Sequence, residues 1–181
     1  MHLTRETIIT SAMAILDAYG LPDLSMRRIA TNLGVQPSAL YWHFESKQAL
    51  LAGMAEVILA DLPDFPHGDL SRLPAWAARF HGLLMRHPSG AELVWSVLSL
   101  HNWPSDLGSQ IEEGLEATGV PPDVVQGAAQ GLLHLILGQA FEEDQRTQAQ
   151  RLGVIKESPS KSAKNLDDAI AVYVAGIQAS C

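Results

Sequence analysis

Ser25-Met-Arg-Arg-Ile-Ala-Thr-Asn-Leu-Gly34-Val-Gln-Pro37-Ser-Ala-Leu-Tyr-Trp-His-Phe-Glu-Ser-Lys47 reads as two short helices around one tight turn. Ser25 suits the cap of the first, because its hydroxyl accepts a hydrogen bond from a free N–H of the first turn. Ile29, Ala30 and Leu33 recur at helical spacing and give that helix one apolar face. Gly34 stands where a helix end takes the left-handed conformation, which glycine adopts without a Cβ clash. Pro37 suits the first turn of the second helix, where a missing N–H is no loss. Leu40 and Phe44 fall on one face and pack this helix back onto the first. Ser38, Ala39, Tyr41, Trp42 and His43 are left largely outward.

Helix, glycine turn, helix is the helix-turn-helix pattern, whose second helix enters the major groove of DNA. The side chains suit that use. Arg27 offers a bidentate contact to guanine, and Ala39 offers a methyl to thymine. Tyr41, His43 and Lys47 are donors for phosphates. Two ordinary bundle helices, with Tyr41 and Trp42 as core aromatics, also account for Leu33, Leu40 and Phe44. They do not account for two adjacent aromatics followed by a histidine, which cannot all face inward on so short a helix.

Residues 4–62 resemble the DNA-binding domain of the tetracycline-repressor (TetR) family. The resemblance is carried by Leu33-Gly34-Val35, by Ser38-Ala39-Leu40-Tyr41-Trp42-His43-Phe44, and by Lys47 and Leu50-Leu51. Tyr-Trp-His is most similar to the tetracycline-repressor branch itself. The resemblance implies an all-helical, homodimeric repressor that a ligand releases from DNA. It also implies that Arg27, Pro37, Ser38, Ala39, Tyr41, Trp42, His43 and Lys47 touch DNA. Ser25, at the head of the motif, completes the candidate DNA-binding set.

The chain has 181 residues, 47% hydrophobic and 18% charged, which is a globular composition with a sizeable core. A net charge of −8 argues at first against nucleic acid. Its distribution answers that objection. Residues 1–60 are nearly balanced, with Arg5, Arg27, Arg28 and Lys47 against Glu6, Asp17, Asp23, Glu45 and Glu56. Most of the acidity lies beyond them, where it either limits non-specific DNA binding or serves only solubility. The single cysteine, Cys181, forms no disulfide within the chain, which fits a reducing cytoplasm. The N-terminus lacks the apolar stretch of a signal peptide, and no apolar run is long enough to span a bilayer. The expected location is therefore cytoplasmic.

In chain order, Thr4 caps a first helix whose stripe is Ile8, Ala12, Ile15, Leu16 and Tyr19, ended by Gly20 and Pro22. Ser46 caps a long helix running to about Leu62, stopped by Pro63 and Pro66. A helix that leaves a DNA-binding domain in this way is a natural lever, since tilting it moves the recognition helix. Further helices are expected from Pro74 to His87, Ala91 to Leu100, Asp106 to Thr118, Pro122 to Arg151 and Asn165 to Ala179. His101-Asn-Trp103-Pro104 reads as a turn, and Leu152 to Lys164 as a loop. The expected architecture is all-α. A three-helix DNA-binding domain covers 1–46, a connecting helix 47–62, and a ligand-binding and dimerisation domain 63–181.

The helix from Pro122 is apolar nearly all round from Val124 to Phe141, so it must be covered on every side. Val124, Gly127 and Gly131, with Ile170, Tyr173, Val174 and Ile177 of the last helix, are the expected dimer interface, two helices from each chain making a four-helix bundle. An apolar pocket with few polar anchors is expected around Trp76, Phe80, Leu84, Trp95, His134, Gly138 and Phe141. His134 reads equally as a hydrogen-bonded core or interface histidine, and Glu142 as the start of an acidic run. The two are separated by about 12 Å of helix rise and do not chelate one ion.

No metal, cofactor or catalytic residue is expected. The sequence has no Gly-rich phosphate loop, no Cys pair and no His-Glu-x-x-His. Within the tetracycline-repressor resemblance, Pro63 and Val94 fall where the drug binder has a drug-contacting and a metal-binding histidine. Recognition of magnesium-tetracycline is therefore not expected. The predicted partners are double-stranded operator DNA, a second copy of the chain and a small apolar or aromatic effector. The expected activity is a ligand-released repressor rather than an enzyme; a constitutive DNA-binding or purely structural dimer without a ligand is the alternative that the sequence leaves open.

Overall fold

The computed structural model describes residues 3–100, 107–156 and 162–180. The described residues form nine α-helices and no strand. They are α1 (Arg5–Tyr19), α2 (Met26–Leu33), α3 (Pro37–Tyr41), α4 (Lys47–Ile58), α5 (Leu73–Leu84), α6 (Gly90–Ser99), α7 (Leu107–Glu116), α8 (Val125–Arg151) and α9 (Ser162–Ser180). Trp103, Pro159 and Cys181 lie outside the described residues. The chain divides into two compact units, Met1–Ala60 with Arg86–Pro104, and Asp61–Met85 with Ser105–Cys181.

In the first unit α1 packs on α2 and α4, and α4 packs on α6. Ile8, Ala12, Ile15 and Leu16 of α1 are buried, as their spacing predicts. Tyr19 departs from that stripe and is 58% exposed. It is the last residue of α1, past the packed turns, and the guanidinium of Arg28 lies 3.9 Å from its ring centroid. Helix α4 ends at Ile58, short of the expected Leu62, and places Leu50, Met54 and Ala55 in the core. Helix α6 adds Leu93, Val94 and Val97 to the same interior. The turn before α6 reaches the end of α1, where His87 Nδ1 lies 2.6 Å from Asp17 Oδ1.

In the second unit α5 carries Leu73, Trp76, Phe80, Leu83 and Leu84 into the core. Fully burying each such side chain is worth about 1.5–3 kcal/mol. Phe65 and Phe80 flank Trp76 edge-on, with ring centroids 5.0 and 5.5 Å away. The indole N–H donates to the Pro63 carbonyl at 2.8 Å, so the ring is buried with its polar atom satisfied. Helix α8 packs on α5, α7 and α9. Its inward stripe is Val125, Ala129, Leu132, Ile136 and Ala140. None of the helices among the described residues is long and apolar enough to cross a membrane.

Candidate nucleic-acid interface

The ends of the helix-turn-helix are fixed by local chemistry. Ser25 is extended, and its Oγ accepts from Arg28 N–H at 3.2 Å, capping α2. Gly34 is left-handed, with φ 68° and ψ 30°. Its N–H reaches the Thr31 carbonyl and that of Val35 reaches Ala30, closing the helix end. Gln36 is extended, as a residue before proline prefers, and Pro37 opens α3. Ser46 then caps α4, its Oγ accepting from Ala49 N–H at 3.0 Å.

Only five residues make α3. A helix this short does not hold itself in water, so packing must hold it. Leu40 and Phe44 supply that packing and are almost wholly buried. The outward set follows from this anchoring. Tyr41 is 52% and Trp42 90% exposed. Ser25, Arg27 and Ser38 are exposed, while Pro37, Ala39, His43 and Lys47 are partly exposed. None of the nine predicted DNA-binding residues is buried.

The adjacent arginines of α2 have separated roles. Arg28 folds back, pairs with Asp23 and covers the ring of Tyr19. Arg27 points to solvent. One residue of this region escapes a reading of the sequence. Arg5 Nη1 donates to the carbonyl of His43 at 2.6 Å, and its guanidinium lies 4.2 Å from the Phe44 ring centroid.

The predicted pocket residues fall into three settings. Trp76, Phe80 and Leu84 are buried in the core of the second unit. His134, Gly138 and Phe141 lie on the exposed face of α8. Trp95 belongs to α6 in the first unit and is exposed. Of the predicted interface residues, Val124, Gly127 and Gly131 share that exposed face of α8. Ile170 and Ile177 are buried within their own unit. Tyr173 and Val174 are half-buried, and the Tyr173 hydroxyl donates to the Ala128 carbonyl at 2.9 Å. Burial pushes that phenol up to about 12. His81 of α5 sits with Nε2 3.2 Å from Glu143 Oε2 of α8. Its burial holds the imidazole below its ordinary pKa, outweighing the carboxylate. Among the described residues no three His, Cys, Asp or Glu side chains are grouped to hold a metal.

Residues 8–54 match the family model described as bacterial regulatory proteins, tetR family. Over 57 residues the chain is 49% identical to the class C tetracycline repressor protein of Escherichia coli, a stretch that is 32% of this chain and 26% of that protein. The fold is similar to the crystal structure of Mycobacterium smegmatis BioQ, with a TM-score of 0.88, 28% identity, and 99% of this chain and all of that one covered. A BioQ crystal structure with its natural double-stranded DNA operator is 31% identical, with a TM-score of 0.75 over 94% of this chain and 99% of that one.

Proposed function

The chain belongs to the TetR family of bacterial regulatory proteins, and from that premise we propose that it is a cytoplasmic repressor, released from a palindromic operator by a small molecule. It acts by binding rather than by catalysis, and as a homodimer. The observation that carries the DNA reading is the pair Tyr41 and Trp42, 52% and 90% exposed on a helix anchored by buried Leu40 and Phe44. Large aromatics held outward by a built anchor mark a binding face. The operator in the 31%-identical BioQ structure supports the same reading.

The proposed dimer uses the second unit. Val124, Gly127, Gly131, His134, Gly138 and Phe141 recur at alternating spacings of three and four along the exposed face of α8. That is the seam of packed parallel or antiparallel helices, and its glycines admit close backbone approach. On α9, Val172 and Ala175 are also exposed. Two-fold pairing sets the recognition helices about one DNA turn apart, roughly 34 Å. Gly131→Leu, whose side chain enters open space in the single chain, leaves the fold intact and gives a monomer by sedimentation; a persistent dimer removes this face from the reading.

The effector is a small apolar or aromatic molecule, of the kind that a largely apolar pocket with few polar anchors takes. It releases DNA only through a higher affinity for the non-binding geometry. It is not magnesium-tetracycline. The Pro63 carbonyl is already engaged by Trp76, and Val94 is a fully buried apolar side chain. Titration with the drug and magnesium leaves protein and drug fluorescence unchanged at micromolar concentration; quenching there contradicts the assignment. The DNA reading is tested by selection from randomised duplexes at a fixed salt concentration. An inverted repeat is expected, and a folded chain that enriches no sequence overturns it.

A further inference from the structure

We propose that Arg5 is a positioning residue for DNA binding, an internal clamp on the C-terminal end of α3 rather than a phosphate contact. The proposal rests on the DNA reading above and adds to it a residue outside the helix-turn-helix.

The clamp begins with a fixed base. Arg5 is the first residue of α1, directly after a reciprocal cap in which Thr4 Oγ1 accepts from Thr7 N–H at 3.1 Å and Thr7 Oγ1 accepts from Thr4 N–H at 2.9 Å. The backbone from which Arg5 projects is therefore held at both ends of the first turn. From there the side chain crosses to the end of the recognition helix. It makes two contacts with adjacent residues, a 2.6 Å hydrogen bond to the His43 carbonyl and a stack 4.2 Å over Phe44.

Those two contacts meet a specific need. The last carbonyls of a helix have no partner within it, and α3 has too few residues to be stable alone. The amides of His43 and Phe44 both turn back to the Leu40 carbonyl. His43 lies in the turn just beyond α3, and its carbonyl accepts from Arg5. Phe44 Cε1 also lies 3.5 Å from where a Cβ on Gly53 of α4 would stand. The Phe44 ring thus meets a guanidinium from α1 and lies close to α4. Trp42 and His43 lie in sequence between the two anchors, Leu40 on one side and the clamped Phe44 on the other. The clamp therefore sets the direction in which both leave the domain.

Arginine suits this task and lysine does not. A planar guanidinium donates at its edge while stacking with its face, whereas an ammonium on a flexible stem does one or the other. Lysine remains a good phosphate ligand. Arg5→Lys therefore separates the two roles while conserving charge.

The test compares wild type and Arg5→Lys on the selected operator and on a scrambled duplex, over a range of salt, below the melting temperature of both. The clamp predicts an operator affinity lower by about tenfold, the scale of one charged hydrogen bond. It predicts unchanged affinity for the scrambled duplex and an unchanged slope of log affinity against log salt. A general loss of folding would lower the melting temperature instead and spare the ratio of the two affinities. Full affinity in Arg5→Lys with an unchanged ratio overturns the clamp in favour of a simple cationic role. A wild-type chain that prefers no duplex overturns the DNA reading and the clamp together.

Discussion

Leu40 and Tyr41 are neighbours on a five-residue helix, and their replacement by alanine should fail in opposite ways. Leu40 is wholly buried beneath α3. Its truncation deletes core contacts and leaves a cavity, at a cost of about 2–5 kcal/mol. For a domain of this size each kcal/mol lowers the melting temperature by about 2–4 °C. Tyr41 is 52% exposed, so its truncation should stay within roughly 0.5 kcal/mol of wild type. On the proposed DNA reading it removes a donor to a charged phosphate, worth about 1.5–3 kcal/mol of binding, or on the order of ten- to a hundredfold in operator affinity. Thermal melts by circular dichroism and operator titrations by fluorescence anisotropy read the two effects separately. The expected result is a Leu40→Ala chain with a lowered melting temperature and a Tyr41→Ala chain that melts normally but binds poorly. A destabilised Tyr41→Ala chain with normal affinity refutes the outward placement of Tyr41. A Leu40→Ala chain as stable as wild type refutes Leu40 as the anchor.

Three further outcomes follow from the second unit. Gly114→Ala should destabilise by about 1–3 kcal/mol, because its Cβ would stand 2.3 Å from Cδ1 of buried Phe65; a melt equal to wild type contradicts that packing. His81 has a pKa held below its ordinary 6.5, so as pH falls through 6.5 the unfolded chain takes up a proton that the folded chain resists. Stability from this site is complete above that pH and declines below it, and His81→Gln should flatten part of the decline in melting temperature between pH 7.5 and 5.5. Tyr173, raised to about 12, keeps its proton in the folded chain while the unfolded chain loses its own near pH 10. Its contribution is full below pH 10 and lost between 10 and 12, and Tyr173→Phe should cost about 1 kcal/mol at neutral pH and remove that alkaline loss.

What was legible in the sequence is what local chemistry decides. The caps Thr4, Ser25 and Ser46, the left-handed Gly34 and the Pro37 start are all in place. Each depends on a side chain meeting its own backbone within a few residues. Leu40 and Phe44 were legible because helical spacing fixes their face once the helix is granted. The grouping of α6 with the DNA-binding unit was not legible. Leu93, Val94 and Val97 make an apolar face, but an apolar face carries no mark of the partner it will meet. Helix α8 is apolar on two sides, and nothing in its composition tells the buried stripe through Val125, Ala129 and Leu132 from the exposed one through Gly127, Gly131 and His134. Arg5 escaped because its partner is a backbone carbonyl, which every residue has and no motif records. Tyr19 fits a helical stripe by spacing, yet lies at a helix end where the core has already finished.

On the proposed reading, two chains place two recognition helices in successive major grooves of one operator. Hydroxyl-radical footprinting on the selected duplex, with the mass of the complex measured in parallel, tests it most directly. Two protected windows about 10 bp apart on one face of the DNA, in a complex of two chains per duplex, are the predicted result. A single window with one chain bound would contradict it.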